Sequence, residues 1–347
     1  MMRNHLLPSR GMVYALCSVL ALTVLSLLNL TVGAVDIPPG EVWNILTGRG
    51  AGRESWQFII METRLPQTLT AILVGAALAC CGLLLQTAFR NPLAGPGIFG
   101  ISNGASLGVA IMMLAMGGQA STKVFSVSGY TAILSAAFMG AFAVSAIILF
   151  FSTRVRNFVM LIIIGIMVGY LTSSAVTILN FSATEEGVRS YMVWGMGDFG
   201  GVTMEMMPIF ASLIVVGLMG ALLLVKPLNA LLIGEDYAEN LGVNVRRLRT
   251  LLISVTVILS SVSTAFCGPI AFIGLAVPHM ARLLIGTENH RLLLPITLLL
   301  GSMTGLFCNL LCHTSPTSGI IPLNAVTPLV GAPVIIYVIV SRNRESY

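Results

Sequence analysis

The chain has 347 residues, of which 56% are hydrophobic and only 9% charged, against roughly 25% charged in a soluble domain. So little charge cannot solvate a soluble fold of this length. That excludes a cytosolic enzyme, a nucleic-acid binder and a secreted disulfide scaffold, and it leaves a polytopic membrane protein whose net charge of +5 fits basic loops beside acidic lipid.

A membrane-spanning helix takes about 20 predominantly apolar residues. Stretches free of Asp, Glu, Lys and Arg run, in chain order, over 11–35, 65–89, 91–122, 124–153, 157–184, 206–225, 250–281 and 292–341. The first follows Arg3 and Arg10 and exceeds the apolar region of a signal peptide, so an uncleaved span is expected. The run 250–281 carries Gly268-Pro269 in its second half and fits one long span, or a full span and a short returning one. The last run breaks near His313-Thr314-Ser315-Pro316 and reads as two spans.

Loop charge selects between these counts. With the N-terminus inside and ten spans, the inner segments hold Arg3, Arg10, Arg90, Arg154, Arg156, Lys226, Arg246, Arg247, Arg249, Arg282, Arg291, Arg342 and Arg344, which is 13 of the 18 basic residues. Arg49, Arg53, Arg64, Lys123 and Arg189 fall outside. Were 250–281 one crossing, the count would be 9 against 9. The excess of basic residues on the cytoplasmic side therefore favours ten spans with both termini cytoplasmic. The predicted spans are 12–33, 65–85, 96–117, 127–150, 157–180, 203–225, 247–267, 271–285, 291–312 and 325–340. Together they make residues 1–347 a single all-α transmembrane domain. The eighth span is short and interrupted by Pro278, so it is expected inside the bundle, where protein surrounds its freed backbone groups.

Small residues such as Gly75-Ala76-Ala77, Gly82, Gly100 and Gly104 are read mainly as close helix contacts. Leu93-Ala94-Gly95-Pro96 echoes Leu275-Ala276-Val277-Pro278, and Arg64 and Arg246 each precede the matching proline by 32 residues. With Arg64 outside and Arg246 inside, spans 2–5 and 7–10 would be inverted copies, a common transporter plan.

Two polar stretches stand out. Asn91-Pro92-Leu93-Ala94-Gly95-Pro96-Gly97, between spans 2 and 3, must be a rigid non-helical turn. It reads either as a plain connector or as a constriction at a pore mouth. Residues 228–243, between spans 6 and 7, place Glu235, Asp236 and Glu239 on the otherwise basic side. They read as two short helices hinged at Gly234, with Gly242 as a helix stop. Either this is a solvated loop or it docks in a groove of a cytoplasmic partner.

Some patterns are missing. The sequence has no G-x-x-x-x-G-K-[S/T], so this chain does not hold ATP in a P-loop. The six cysteines lie in apolar runs without zinc-site spacing, and no metal ligand set or nucleophile–base pair is visible. Nearly every Asp and Glu lies in a loop, whereas ion-coupled carriers usually place ionisable groups at mid-membrane. That points to energy from another subunit; the competing reading is a stand-alone secondary transporter or channel.

The motifs carry a resemblance. Arg64-Leu65-Pro66-Gln67-Thr68-Leu69, Val74-Gly75-Ala76-Ala77-Leu78, Asn91-Pro92-Leu93-Ala94-x-Pro96 and Gly100-Ile101-Ser102-Asn103-Gly104-Ala105 resemble the permease subunits of type II ABC importers for iron chelates and cobalamin. Trp194-Gly195-Met196-Gly197, Gly234-Glu235 with Leu241-Gly242-Val243, Gly268-Pro269-Ile270-x-Phe272 through Pro278-His279, and Gly331-Ala332-Pro333 continue it in order. The look is closest to the cobalamin members.

The resemblance implies a homodimer in the bacterial inner membrane. Two ATPase subunits, which hold the ATP and Mg, would sit below, and a periplasmic binding protein would deliver a metal chelate (cobalamin, iron–siderophore or haem) from above. It implies that Arg64 pairs with a glutamate of the binding protein, that Asn91, Pro92 and Leu93 form the cytoplasmic gate, and that 228–242 seats on the ATPase through Gly234, Glu235, Asp236, Glu239, Leu241 and Gly242. Where the family often has a second Arg, Gln67 stands, and Asn309 and His313 replace a frequent Asp and Arg. The family's Glu-Leu-Pro becomes Ile321-Pro322-Leu323. Docking of the binding protein is therefore expected to use fewer ion pairs, with His313 as a further donor. An exposed Arg64–Glu pair would add roughly 0–1 kcal/mol and act mainly by orienting encounter.

Overall fold

The computed structural model describes residues 10–50, 52–115, 129–155, 158–314 and 319–345. Arg3, Lys123, Arg156, Ser315-Pro316 and the two chain ends, on which parts of the sequence reading rest, lie outside the described residues. The chain is helical, with no strand among the described residues. Helix α1 (Arg10–Thr31) is followed by α2 (Pro39–Leu46) and α3 (Glu54–Phe58), which continues through a π-helical turn at Ile59–Arg64 into α4 (Leu65–Phe89). A 3-10 turn at Pro96–Phe99 leads into α5 (Ile101–Ala110), α6 (Gly129–Arg154), α7 (Phe158–Ser182) and α8 (Glu185–Gly195). The remaining helices are α9 (Met207–Leu223), α10 (Val225–Ile233), α11 (Glu235–Asn240), α12 (Val245–Cys267), α13 (Ile273–Ile285), α14 (His290–Cys312) and α15 (Leu323–Glu345).

Among the described residues, five helices are long and apolar enough to cross a membrane: Glu54–Phe89, Gly129–Arg154, Met160–Ser182, Val245–Cys267 and His290–Cys312. The pair α9 and α10, bent by 47°, makes a sixth if it is one span. Shorter apolar helices occupy Cys17–Thr31, Ile101–Leu114, Ile273–Ile285 and Leu323–Tyr337. The helix predicted from 65 begins at Glu54, because Glu62 and Arg64 are carried within it rather than in a loop. The short helices α2 and α8 fall in stretches read as loops. Both have local causes: Pro39 opens α2, and Thr184 caps α8 by accepting from the Gly187 N–H with Glu185 and Glu186 in the first turn.

Helix α4 is the centre of the molecule. Every residue from Val74 to Ala88 is buried, and the helix packs against α14, α12, α13 and α9. It is apolar on all sides, as a helix surrounded by protein must be. Its approach to α14 is set by small residues, because lipid tails supply no hydrophobic drive between helices and close van der Waals contact must do so. A Cβ on Gly75 would lie 2.2 Å from the Gly301 carbonyl oxygen, and one on Gly305 would lie 2.4 Å from that of Ala71. Ser302 Oγ donates to the Ile72 carbonyl at 2.9 Å.

Helix α13 packs against α4, α14 and α15 and buries Pro278, as its interrupted sequence demands. Pro278 cannot donate to the carbonyl four residues back, that of Gly274. This freed carbonyl faces α4 at Gly82, where a Cβ would lie only 1.6 Å from it. The echoed segments differ locally: Pro96 opens a 3-10 turn, whereas Pro278 lies inside α13.

Candidate functional site

The residues singled out from the sequence gather at the two ends of the continuous helix 54–89. At its start lies a cavity of about 250 Å³ lined by Arg64, Gln67, His313, Asn29 and Asn309 among others. Arg64 is only 7% exposed, so the expectation of an exposed arginine does not hold for this chain. Its Nη1 donates to the Leu30 and Thr31 carbonyls, each at 2.8 Å, and its Nη2 to that of Val35. These are acceptors at and just past the C-terminal end of α1, which lack helical partners. Gly33 keeps the guanidinium close, since a Cβ there would lie 2.8 Å from Nη2. Gln67 is buried, and its Nε2 lies 3.4 Å from His313 Nε2. His313 Nδ1 is 2.8 Å from the Asn309 carbonyl, so Nδ1 carries the proton and Nε2 accepts from Gln67. Asn309 Nδ2 donates to Asn29 Oδ1 at 2.8 Å, and Asn29 Nδ2 to the Leu306 carbonyl at 3.1 Å. Asn29 was not anticipated. A lone amide within an apolar run is its only sequence signal.

At the other end, Arg90 adopts a left-handed conformation with φ 46° and terminates α4. Asn91 N–H bonds the Gln86 carbonyl at 3.2 Å and Arg90 N–H that of Thr87 at 3.3 Å, the hydrogen-bond pattern of a Schellman cap. Pro92 explains the stop, because the residue before a proline avoids helical geometry. Asn91 Oδ1 accepts the Leu93 N–H at 2.9 Å. It thereby shapes the turn, and Leu93, 49% exposed, stands at a cavity of about 400 Å³. The Pro92 carbonyl accepts from His279 Nε2 at 2.7 Å. The cavity continues past Pro96, Ser102 and Asn103 to Pro269–Phe272 and Asn324. Asn324 carries no sequence motif, and Phe272 is expected only as part of the Gly268–His279 motif. Asn324 ties three segments together: its Nδ2 donates to the Gly195 and Pro269 carbonyls, and its Oδ1 accepts from the Ala271 N–H. Phe272 has φ +67°, a strained conformation for an aromatic residue.

The segment 228–242 lies beside the Arg90 turn, for Arg90 Nη2 donates to the Leu231 carbonyl at 3.1 Å. It forms α10 and α11, with Gly234 at φ 151° between them. Gly242, at φ +82°, completes a Schellman cap in which Val243 N–H bonds the Ala238 carbonyl and Gly242 N–H that of Glu239, both at 2.9 Å. Glu235 and Asp236 occupy the first turn of α11, and Glu235 pairs with Arg249 at 2.6 Å. Ala238 anchors the inner side of the segment at 0% exposure, while Ile233 (66%), Tyr237 (49%) and Leu241 (59%) face outward. No group of three or more His, Cys, Asp or Glu able to hold a metal occurs among the described residues.

Residues 21–341 match the model of the FecCD transport family. The chain is 36% identical over 342 residues to the vitamin B12 import system permease protein BtuC of Klebsiella pneumoniae subsp. pneumoniae, covering 98% of this chain and 97% of that protein. It is 36% identical over 319 residues to the protein of the same name from Salmonella typhi, covering 92% of each. Among solved structures, an inward-facing transporter described as of the metal-chelate ABC type superposes with a TM-score of 0.81 at 30% identity, covering 94% of this chain and 98% of that one. PsaBC from Streptococcus pneumoniae, in complex with Fab, shares the fold at a TM-score of 0.53 and 17% identity, covering 79% and 90%.

Proposed function

The chain belongs to the FecCD transport family, permease subunits of ABC importers, and from that premise we propose that it carries a metal chelate, cobalamin first among the candidates, into the cytoplasm by alternating access. The chain is itself no enzyme; hydrolysis belongs to a partner ATPase, which holds the ATP and Mg. Ten spans cross the inner membrane with both termini cytoplasmic, and spans 2–5 and 7–10 are inverted copies. The whole chain is one permease domain, and two copies flank the substrate path. The excess of basic residues on one side supports this topology. The difference between the Pro96 and Pro278 segments leaves the repeat supported by charge and span order alone.

The observation that carries the reading is the surface of α10 and α11. Ile233, Tyr237 and Leu241 project from it beside Glu235, Asp236 and Glu239. Large exposed apolar side chains with an acidic rim, on an element otherwise bound for water, suit a protein partner. The same element is bonded to the turn that presents Leu93 to the cavity, so a partner that moves it acts on the gate. The few charges along the cavity suit a cargo already caged by its chelator. Arg64, Gln67 and His313 serve the binding protein from the other end of the molecule. With its guanidinium committed to the end of α1, Arg64 shapes that docking surface as well as lending it charge.

Purification tests the reading. The chain is expected to retain an ATPase subunit, and Leu241→Asp is expected to weaken that association about tenfold or more, the effect of a buried interface anchor. A chain that retains no ATPase would contradict it.

A further inference from the structure

A buried polar chain joins α10 to the end of α4 through a histidine that neither the sequence reading nor the function above uses. His290, the first residue of α14, is 0% exposed. Its backbone N–H donates to Asn229 Oδ1 at 2.8 Å. That fixes Oδ1 as the acceptor, so His290 Nδ1, 3.0 Å from the same oxygen, must carry a proton. The opposite ring nitrogen, Nε2, meets Thr87 Oγ1 at 2.8 Å. Asn229 Nδ2 in turn donates to Asn289 Oδ1 at 2.9 Å, and Asn289 caps α14 through the Arg291 N–H. Thr87 is a buried residue of the last turn of α4, directly before the Asn91–Leu93 turn.

We propose that Asn229, His290 and Thr87 are the linkage through which displacement of α10 and α11 reaches the gate turn 91–93, with His290 as its positioning residue. The inference rests on the reading of 228–242 as the seat of an ATPase. Three directional bonds of 2.8–3.0 Å hold three elements, α10, α14 and α4, in one relative position, where apolar contacts would let them slide. His290 is fully buried, so no water replaces a broken bond there, and a shift of α10 pulls on His290 at the start of α14 and through it on the end of α4. The Arg90 to Leu231 contact runs alongside and keeps the turn itself in register. His290 is a member of this linkage and does not touch the cavity.

The test reads the gate directly and needs no transported substrate. Leu93→Cys is introduced, and its labelling by a membrane-impermeant maleimide is followed with and without ATP in vesicles holding the chain and its retained ATPase. In this parent, ATP is expected to change the labelling rate. Thr87→Val keeps the side-chain shape but removes the hydroxyl. It is expected to shrink the ATP response at least about fivefold while hydrolysis and ATPase retention stay at the parent level. Thr87→Ser is expected to keep the response. His290→Phe, which keeps a buried ring but removes both ring nitrogens, is a second disconnection, expected to behave as Thr87→Val does. An unchanged ATP response in both disconnected variants overturns the linkage. So does a parallel loss of hydrolysis and response, which would place these residues in ATPase binding. A parent that retains no ATPase overturns the reading of 228–242 instead.

Discussion

Arg64 shows how much one buried cation organises. Three carbonyl groups at and past the end of α1 converge on its guanidinium, and a charged donor to such acceptors contributes about 1.5–3 kcal/mol per bond. Arg64→Ala is expected to lower detergent-solubilised stability by about 2 kcal/mol or more. Arg64→Lys should recover only part of that loss, since one ammonium cannot span the three acceptors as a planar fork does. Thermal unfolding of the purified variants measures both. The sequence flags Arg64 through its place before Leu65-Pro66, but its acceptors lie some thirty residues away across a helix pair, and no spacing rule reveals them. Gly82 is the opposite case. A small residue in an apolar run announces close packing, yet the neighbour is a carbonyl that Pro278 sets free on another helix. Gly82→Ala would thrust a methyl group into that carbonyl. It is expected to cost about 1–3 kcal/mol or to prevent assembly, read as a loss of monodisperse protein on size exclusion.

At the scale of elements, the segment 228–242 is the most readable part of the candidate site. Gly234 between apolar and acidic halves predicts a hinge, and Gly242 predicts a stop; both sit where the backbone needs unusual dihedral angles. Shortening 234–242 is expected to uncouple ATP hydrolysis from transport while the subunits still reach the membrane. ATP consumed per solute moved would then rise steeply in reconstituted vesicles, and unchanged coupling would count against the role. The helix predicted from 65 begins at Glu54, because Arg64 does not mark a loop; it is satisfied within the protein. Helix α8 gives little sequence signal because its amphipathic run is brief and polar, despite the Thr184 cap and acidic first turn. The cavity wall was least legible. Asn324 acts there through contacts between segments far apart in the chain.

For the whole molecule, the ordering of parts follows from one shortage. With 9% charged residues the bundle has few groups able to bind a coupling ion at depth. Its acidic residues are concentrated instead on surface elements such as α11 and the first turn of α8. A body of this kind moves solute only if work is delivered from outside it, and on the proposed reading α10 and α11 receive that work. The most direct measurement is uptake of cobalamin by sealed vesicles containing the chain, its ATPase and a binding protein, with ATP inside or outside and with vanadate or a proton ionophore added. Uptake that requires ATP on the side of α10 and α11, stops with vanadate and ignores the ionophore is the predicted result. Accumulation by the chain alone, or accumulation that collapses with the proton gradient while ATP is present, would contradict the account.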